Sequence, residues 1–553
     1  MTELLVVIVA ALLVIAAATV LGPRLGIAAP LVLVAIGVAA SFLPVFSSTH
    51  IEPEWILEGV LPPLLYSSAV SMPGMNFRRE FGAISGLSVL LVVGSALLLG
   101  VFFMLALPEL GFAWGVALGA IVSPTDAVAT SIIKQTSVSK RVVAMLDGES
   151  LLNDATALVM LRTAIFATAA SFSFWGAVGT FAYSVVVALI IGGVVGWLNL
   201  VVRKRTTDPT VNTVISFAVP FAAAVPAELL GASGLVAAVV AGLATGIRAP
   251  RELSPQNRLS DSQNWRTVEL VLEGAVFLTM GVQIKAIVEN VERDHAGVGA
   301  AVLVAAGALV LTILVRAAYV APLLGVLVWR AEHGRKLQIR LQDMQERMGT
   351  PEGKQETFGE VNARKRQPSE RDLERFALRI TQGLATIKYF LREPLGWREG
   401  TAVVWAGMRG AVTVAAAQTL PEDTPQRSVL VLIAFAVAVM SLAVQGGTIG
   451  PLLRLITPED DRSVAGDQVA AERAEIIELM RTSAQTVPEP PPADGERTPE
   501  QMHAAQDHLL AVLAAQRAAL LDARDHGTFD ADVLANALAN LDASQIAFEM
   551  RGR

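Results

Sequence analysis

The sequence predicts an all-α polytopic membrane protein, and three observations carry that reading. Of the 553 residues, 53% are hydrophobic and only 17% charged, with a mean hydropathy of +0.54. A soluble chain of this length would carry more charge and divide into several domains. The charge is concentrated in short loops, in a block from Trp329 to Arg398, and in the tail after Leu455. Between these lie apolar runs of roughly 18–25 residues, the length that crosses a hydrocarbon core of about 30 Å.

Thirteen candidate spans follow in order, at 3–21, 26–46, 53–72, 82–107, 111–134, 142–170, 175–202, 209–229, 231–248, 266–289, 296–329, 400–420 and 428–456. The first lacks a basic leading region and a small-residue cleavage site, so it is expected to be retained as a span. Loops after odd-numbered spans carry Arg24, then Arg78 and Arg79, Lys140 and Arg141, Arg203 to Arg205, Arg248, Arg251 and Arg258, and the block from Arg330. Loops after even-numbered spans carry almost no Lys or Arg, Arg293 and Arg427 excepted. Positive charge stays inside, so the N-terminus is expected outside and the tail in the cytoplasm.

Residues 1–456 read as a transmembrane domain interrupted by a polar, helix-prone cytoplasmic insertion at 331–398, broken at Gly349, Thr350 and Pro351. Residues 457–553 read as an acidic tail. From Pro458 onward eighteen Asp and Glu stand against eight Arg and no Lys, a net of −10, which leaves the remainder near +3. The Pro-rich stretch 486–500 cannot form a regular helix and serves as a linker. Helical periodicity returns at 501–525 and 530–550, a small helical pair.

The chain has no cysteine, which excludes disulfides and thiolate chemistry. "GESLL" lacks the second glycine of a nucleophile elbow, and all six histidines (His50, His295, His333, His503, His508, His526) fall in loops or the tail. An enzyme is therefore not expected.

Ionisable groups inside a bilayer cost roughly 2.5–3.5 kcal/mol each on insertion scales, so they mark function by default. The sixth span holds "LDGESLLNDATALV", with Asp147, Glu149 and Asp154 beside Ser150 and Asn153. Ser150 and Asp154 share one helix face, and Glu149 and Asn153 an adjacent strip. Oxygen-only ligands of this kind suit a hard cation such as Na⁺. In the fifth span Pro124 breaks the helix, leaving Thr125 and Asp126 near the start of the second half, where a carboxylate offsets the helix dipole. Interrupted spans point to a transporter site. The twelfth span has a comparable weak point at Gly407, Arg409 and Gly410, and as the inverted counterpart of the fifth it would make the two halves related repeats. Glu149 and Arg316 of the eleventh span read as a structural ion pair in preference to direct ligands. Asp147 reads as interfacial, and Glu228 and Glu273, at or near span ends, as structural or cation-attracting.

"SPTDAVA", "LDGESLLNDATALV" and "WAGMRGAV", in that order, resemble the monovalent cation:proton antiporter-1 family, bacterial Na⁺/H⁺ antiporters related to the eukaryotic sodium/proton exchangers. The resemblance covers residues 1–456. It implies thirteen spans with inverted repeats, two crossed broken helices, a homodimer, and a core domain moving against a dimerisation domain in the plasma (inner) membrane. Na⁺ and protons are then substrates, with Li⁺ or K⁺ left open, and neither a cofactor nor nucleic acid is expected.

By position, the resemblance makes Asp154 the exchanging carboxylate and Ser150 and Thr125 cation ligands. Asn153 becomes the family's paired Asn and Asp126 the dipole-compensating acid. Glu149 becomes the partner of Arg316, and Arg409 lies in the glycine-rich break. The family commonly has an acid in the third span, and "LPPLLYSSAV" puts Ser67 there, which leaves one ligand position and the cation preference open. The long insertion is a second departure. The expected mechanism is competition of H⁺ and Na⁺ for Asp154. It is expected to be electroneutral, since Asn153 rather than a second acid stands beside it. A K⁺- or Li⁺/H⁺ exchanger on the same scaffold is the alternative, with a cation channel ranked below.

Overall fold

A computed structural model describes residues 2–25, 28–44, 52–134, 136, 138–169, 174–294, 297–348, 350, 353, 358, 369–456, 460–489 and 498–551. The described residues contain helices and no strand. The first half holds α1 (Thr2–Leu25), α2 (Ala29–Ala40), α3 (Leu61–Ser71), α4 (Gly74–Ser85), α5 (Val92–Ala106), α6 (Gly111–Val122) and α7 (Val128–Ile133). It continues through α8 (Lys140–Ala169), α9 (Phe174–Arg203), α10 (Pro209–Leu229) and α11 (Gly234–Glu252). There follow α12 (Pro255–Val282), α13 (Ile284–Arg293), α14 (Val298–Arg347), α15 (Glu370–Arg392), α16 (Trp397–Trp405), α17 (Ala411–Gln418), α18 (Arg427–Ser441) and α19 (Gly447–Ile456). The tail adds α20 (Asp460–Ala484), α21 (Pro499–His526) and α22 (Ala531–Arg551).

Among the described residues, eight helices are long and apolar enough to cross a membrane. The other spans expected from the sequence fall on helices that are short or interrupted, namely α2, α3, α6 with α7, and α16 with α17, or on the less apolar α11. The count of thirteen therefore stays an expectation of the sequence.

The chain divides into two compact units, the first formed by residues 1–253, 260–323 and 397–457. Inside it the segment Arg427–Ile456 is 78% buried and the apolar window of α1 only 17%, so α18 and α19 form the centre and α1 a flank. The helices pack backbone to backbone through small residues, as membrane helices do in the absence of a hydrophobic drive between them. α11 lies between α9 and α3: a Cβ on Gly192 would sit 2.4 Å from the Ala237 carbonyl oxygen, and one on Gly246 2.4 Å from that of Val70. Helix starts are set by local chemistry. Asp208 accepts from the amides of Thr210 and Val211 ahead of α10, with Pro209 as first residue. The Val211 amide, then that of Thr210, holds this exposed carboxyl below the usual aspartate range.

The second unit comprises residues 254–259, 324–396 and 458–553. α14 is a single helix of 50 residues that runs on from its apolar part into the insertion. There Leu341, Met344 and Met348 pack against Phe376, Ile380 and Leu384. α15 starts at a Ser369–Asp372 capping box and α21 at a Thr498–Gln501 box. The tail is a three-helix cluster around Ile476, Leu513, Leu520, Val533, Leu534 and Leu541. The two segments expected to be helical are joined by a third, α20, ahead of the linker. Residues 490–497 of that linker, and Gly349 and Pro351 of the insertion, lie outside the described residues.

Candidate cation and proton site

α6 ends at Val122 and α7 begins only at Val128. Pro124, with no N–H to donate, sits in the gap, and the Ser123 hydroxyl donates to the Gly119 carbonyl at 2.7 Å, so one freed acceptor is satisfied locally. A second gap separates α16 from α17. The two interruptions cross. The Asp126 amide donates to the Met408 carbonyl at 2.7 Å, and Arg409 Nε donates to the Val122 carbonyl at 3.0 Å. The Arg409 amide donates to Ser441 Oγ at 2.9 Å, and its guanidinium also reaches the Gly407 carbonyl. Backbone groups freed by breaking two helices are thus satisfied across the crossing, partly by one another and partly by the Arg409 and Ser441 side chains.

The crossing explains the glycines of "WAGMRGAV". A Cβ on Gly410 would stand 1.5 Å from Asp126 Oδ2, and one on Gly407 would stand 2.6 Å from Arg316 Cδ. Only a residue without a side chain lets Asp126 and Arg316 lie where they do. Asp126 Oδ1 accepts from the Val128 amide at 2.9 Å, at the head of α7.

α8 carries the other half of the arrangement. Glu149 and Arg316 are both buried and form a bidentate pair, with Nη2 donating to Oε2 at 2.7 Å. Arg316 Nε donates to the Val403 carbonyl at 2.8 Å, which ties α8, α14 and α16 together. Asn153 Nδ2 donates to Thr125 Oγ1 at 2.6 Å and to the Thr125 carbonyl at 3.1 Å. The Thr125 hydroxyl in turn donates to Glu149 Oε1 at 3.2 Å. Asn153, Thr125, Glu149 and Arg316 are therefore one buried chain of hydrogen bonds bracing the break after α6.

Beside this chain is a cavity of about 110 Å³. Pro124, Thr125, Asp126, Ser150, Asp154 and Gly410 line it. Asp154 is 6% exposed and makes no hydrogen bond or ion pair among the described residues. Ser150 Oγ donates to the Asp147 carbonyl at 3.0 Å, which leaves its lone pairs open to the cavity. Asp147 itself pairs with Lys134 at 3.0 Å, away from Asp154.

Residues singled out from the sequence thus separate into cavity wall (Asp154, Ser150, Thr125, Asp126, Pro124, Gly410) and bracing (Asn153, Glu149, Arg316, Arg409, Gly407). Ser67 is buried, does not line the cavity, and donates to Glu269 Oε2 at 3.3 Å. Glu269, Glu273 and Thr413 line the same cavity, and the sequence reading missed them or set them aside. Glu273 reads as a span-end acid only when the tenth span is started at Arg266. The helix in fact begins at Pro255, which puts Glu273 well inside it. The available signal was the spacing: Glu269, Glu273, Val276 and Phe277 fall on one helical stripe, and all four face the cavity.

The family model described as the transmembrane sodium/hydrogen exchanger matches residues 8–342 and 376–455. A Mycobacterium tuberculosis protein named as an uncharacterized Na⁺/H⁺ exchanger is 26% identical over 483 residues, covering 85% of this chain and 78% of its own length. A Bacillus subtilis protein named as a sodium, potassium, lithium and rubidium/H⁺ antiporter is 29% identical over 276 residues, 48% of this chain and 41% of its own. The fold is similar to that of the sodium proton antiporter MjNhaP1 of Methanocaldococcus jannaschii, with a TM-score of 0.54 at 14% identity, covering 82% of this chain and 99% of that one. With its helical scaffold, its two crossed interruptions and a family match over most of its length, this chain belongs to the transmembrane sodium/hydrogen exchanger family.

Proposed function

We propose that the chain exchanges a cytoplasmic monovalent cation, Na⁺ first among candidates, for external protons by alternating access, with Asp154 as the exchanging group. The observation that carries this reading is the state of Asp154: a carboxylate 6% exposed, without a partner among the described residues, on the wall of a cavity beside two broken helices. Burial disfavours an uncompensated charge, so the group is neutralised either by a proton or by a cation. One carboxylate cannot hold both. An empty anionic site pays the desolvation cost of crossing, so the loaded forms move and exchange is obligatory.

Ser150 and Thr125 contribute oxygens to the cation, Asn153 and Asp126 hold the break in shape, and the Glu149–Arg316 pair fixes α8 against α14. Each turnover changes the proton on Asp154 alone, so exchange is electroneutral even though Asp126, Glu269 and Glu273 share the cavity wall. On this reading the protein works as a homodimer in the plasma membrane, N-terminus outside and tail in the cytoplasm, an orientation that the loop charges support. Exchange of K⁺ or Li⁺ on the same scaffold is the second reading, supported by the cations named for the Bacillus subtilis relative and by an all-oxygen ligand set that serves either.

The test is Na⁺-, Li⁺- and K⁺-driven dequenching of a pH dye in proteoliposomes. Asp154→Asn is expected to abolish the signal for every cation while the purified protein keeps its thermal unfolding transition. Cation-driven proton flux that survives this change would overturn the proposal.

A further inference from the structure

Among the polar groups on the cavity wall that the exchange described above leaves unused are Thr413 and Glu273. Thr413 of α17 is fully buried, and its hydroxyl has no hydrogen-bond partner among the described residues. A threonine inside a helix ordinarily bonds the carbonyl four residues back. Here that residue is Arg409, which lies in the break before α17 begins. Glu273 of α12 is half-buried, and its carboxylate makes no hydrogen bond or ion pair among the described residues.

A buried hydroxyl left unsatisfied costs about 1–3 kcal/mol, and a carboxylate beside Val276 and Phe277 at membrane depth is a further burden. Such groups are tolerated where a ligand satisfies them.

The α8 side of the cavity is short of free oxygens. Thr125 Oγ1 already donates to Glu149 and accepts from Asn153, which leaves it a single lone pair. With the Asp154 carboxylate and the Ser150 hydroxyl that makes a short list, whereas a cation stripped of water needs several oxygens in its place.

We propose that Glu273 and Thr413 complete the oxygen shell of the transported cation, so that α12 and α17 supply the ligands α8 lacks. This rests on Asp154 being the exchanging group. Because the number and field strength of coordinating oxygens set the preference among alkali cations, these two residues are specificity determinants, while the proton stays the business of Asp154.

The experiment uses the full chain in proteoliposomes and measures half-saturating Na⁺, Li⁺ and K⁺ at fixed pH for Thr413→Val, Glu273→Gln and Glu273→Asp. Na⁺-dependent thermal stabilisation of the same purified proteins provides a second readout. All three variants are expected to raise half-saturating Na⁺ by roughly tenfold or more and to change the order of the three cations, with the rate at saturation largely kept. Glu273→Asp fails to rescue because the carboxylate withdraws by one methylene.

The inference is overturned if Thr413→Val is as stable as the parent or more so, with unchanged Na⁺ dependence, since that marks the hydroxyl as ligand-free. It is equally overturned if Glu273→Asp restores parental values, which makes Glu273 a distant field charge. A variant that loses flux is decided by thermal stabilisation: a shift in the Na⁺ concentration required supports the inference, and parental dependence overturns it. Unchanged cation dependence in these variants, together with loss of exchange in Asp154→Asn, sinks this inference alone. Exchange surviving in Asp154→Asn sinks the reading beneath it.

Discussion

At the scale of single residues, the bracing chain is where a substitution is most costly. Glu149 and Arg316 are each only a few per cent exposed, and each satisfies the other's charge. Removing one partner leaves the other buried and uncompensated, a loss of about 3–5 kcal/mol. Arg316→Met is therefore expected to lower the thermal unfolding transition sharply, and Arg316→Met combined with Glu149→Gln to recover part of it. A double variant no more stable than the single one would contradict the pairing as the source of the effect. Charged residues in the sixth and eleventh spans were legible because charge within apolar sequence stands out. Thr413 was not, because a lone threonine in a membrane helix costs little when it can bond its own backbone. Only the structure shows that here it does not. Glu273 was visible but misplaced, since Arg266 and Glu269 made the helix look as though it began later than it does.

At the scale of elements, the two interrupted helices are mutually dependent. Gly410→Ala would drive a methyl group into the Asp126 side chain; the carboxylate swings aside only by giving up its bond from the Val128 amide, and a shift of the break's backbone costs the Asp126–Met408 bond. Overpacking of this kind costs typically about 1–3 kcal/mol. The expected result is a lower unfolding temperature and a severe loss of exchange, read by differential scanning fluorimetry and dye dequenching on the same preparation. Parental activity in this variant would mean that the crossing is looser than the geometry requires. Proline in "VSPTD" and glycine in "WAGMRGAV" announce each break in the sequence. The bonds between them join residues almost three hundred positions apart, and nothing local encodes that pairing.

At the scale of the whole molecule, each unit follows its own rules. In the first, long apolar helices approach through glycines, and the buried charges include pairs such as Glu149–Arg316 and Glu80–Arg141 and carboxylates on the wall of a small cavity. In the second, Asp542 accepts from Arg258 at 3.0 Å and from Arg517 at 2.9 Å, joining the first residues of α12 to two tail helices. All three side chains are mostly buried. Asp542→Asn weakens both bridges and is expected to speed proteolysis of α21 and α22. An unchanged digestion rate would show that the apolar cluster around Leu520 and Leu534 holds the tail alone. The acidity of the tail and its helical periodicity were plain in composition, but the carboxylate shared by arginines more than two hundred residues apart could not be read there.

Competition of two cations for one carboxylate is the claim on which the rest depends, and equilibrium Na⁺ binding to the purified protein across a pH series tests it most directly. The account predicts an apparent dissociation constant that rises about tenfold per pH unit below the titration of the site, with one proton released for each Na⁺ bound and both effects absent in Asp154→Asn. Na⁺ binding that is indifferent to pH, or that releases no proton, would contradict it.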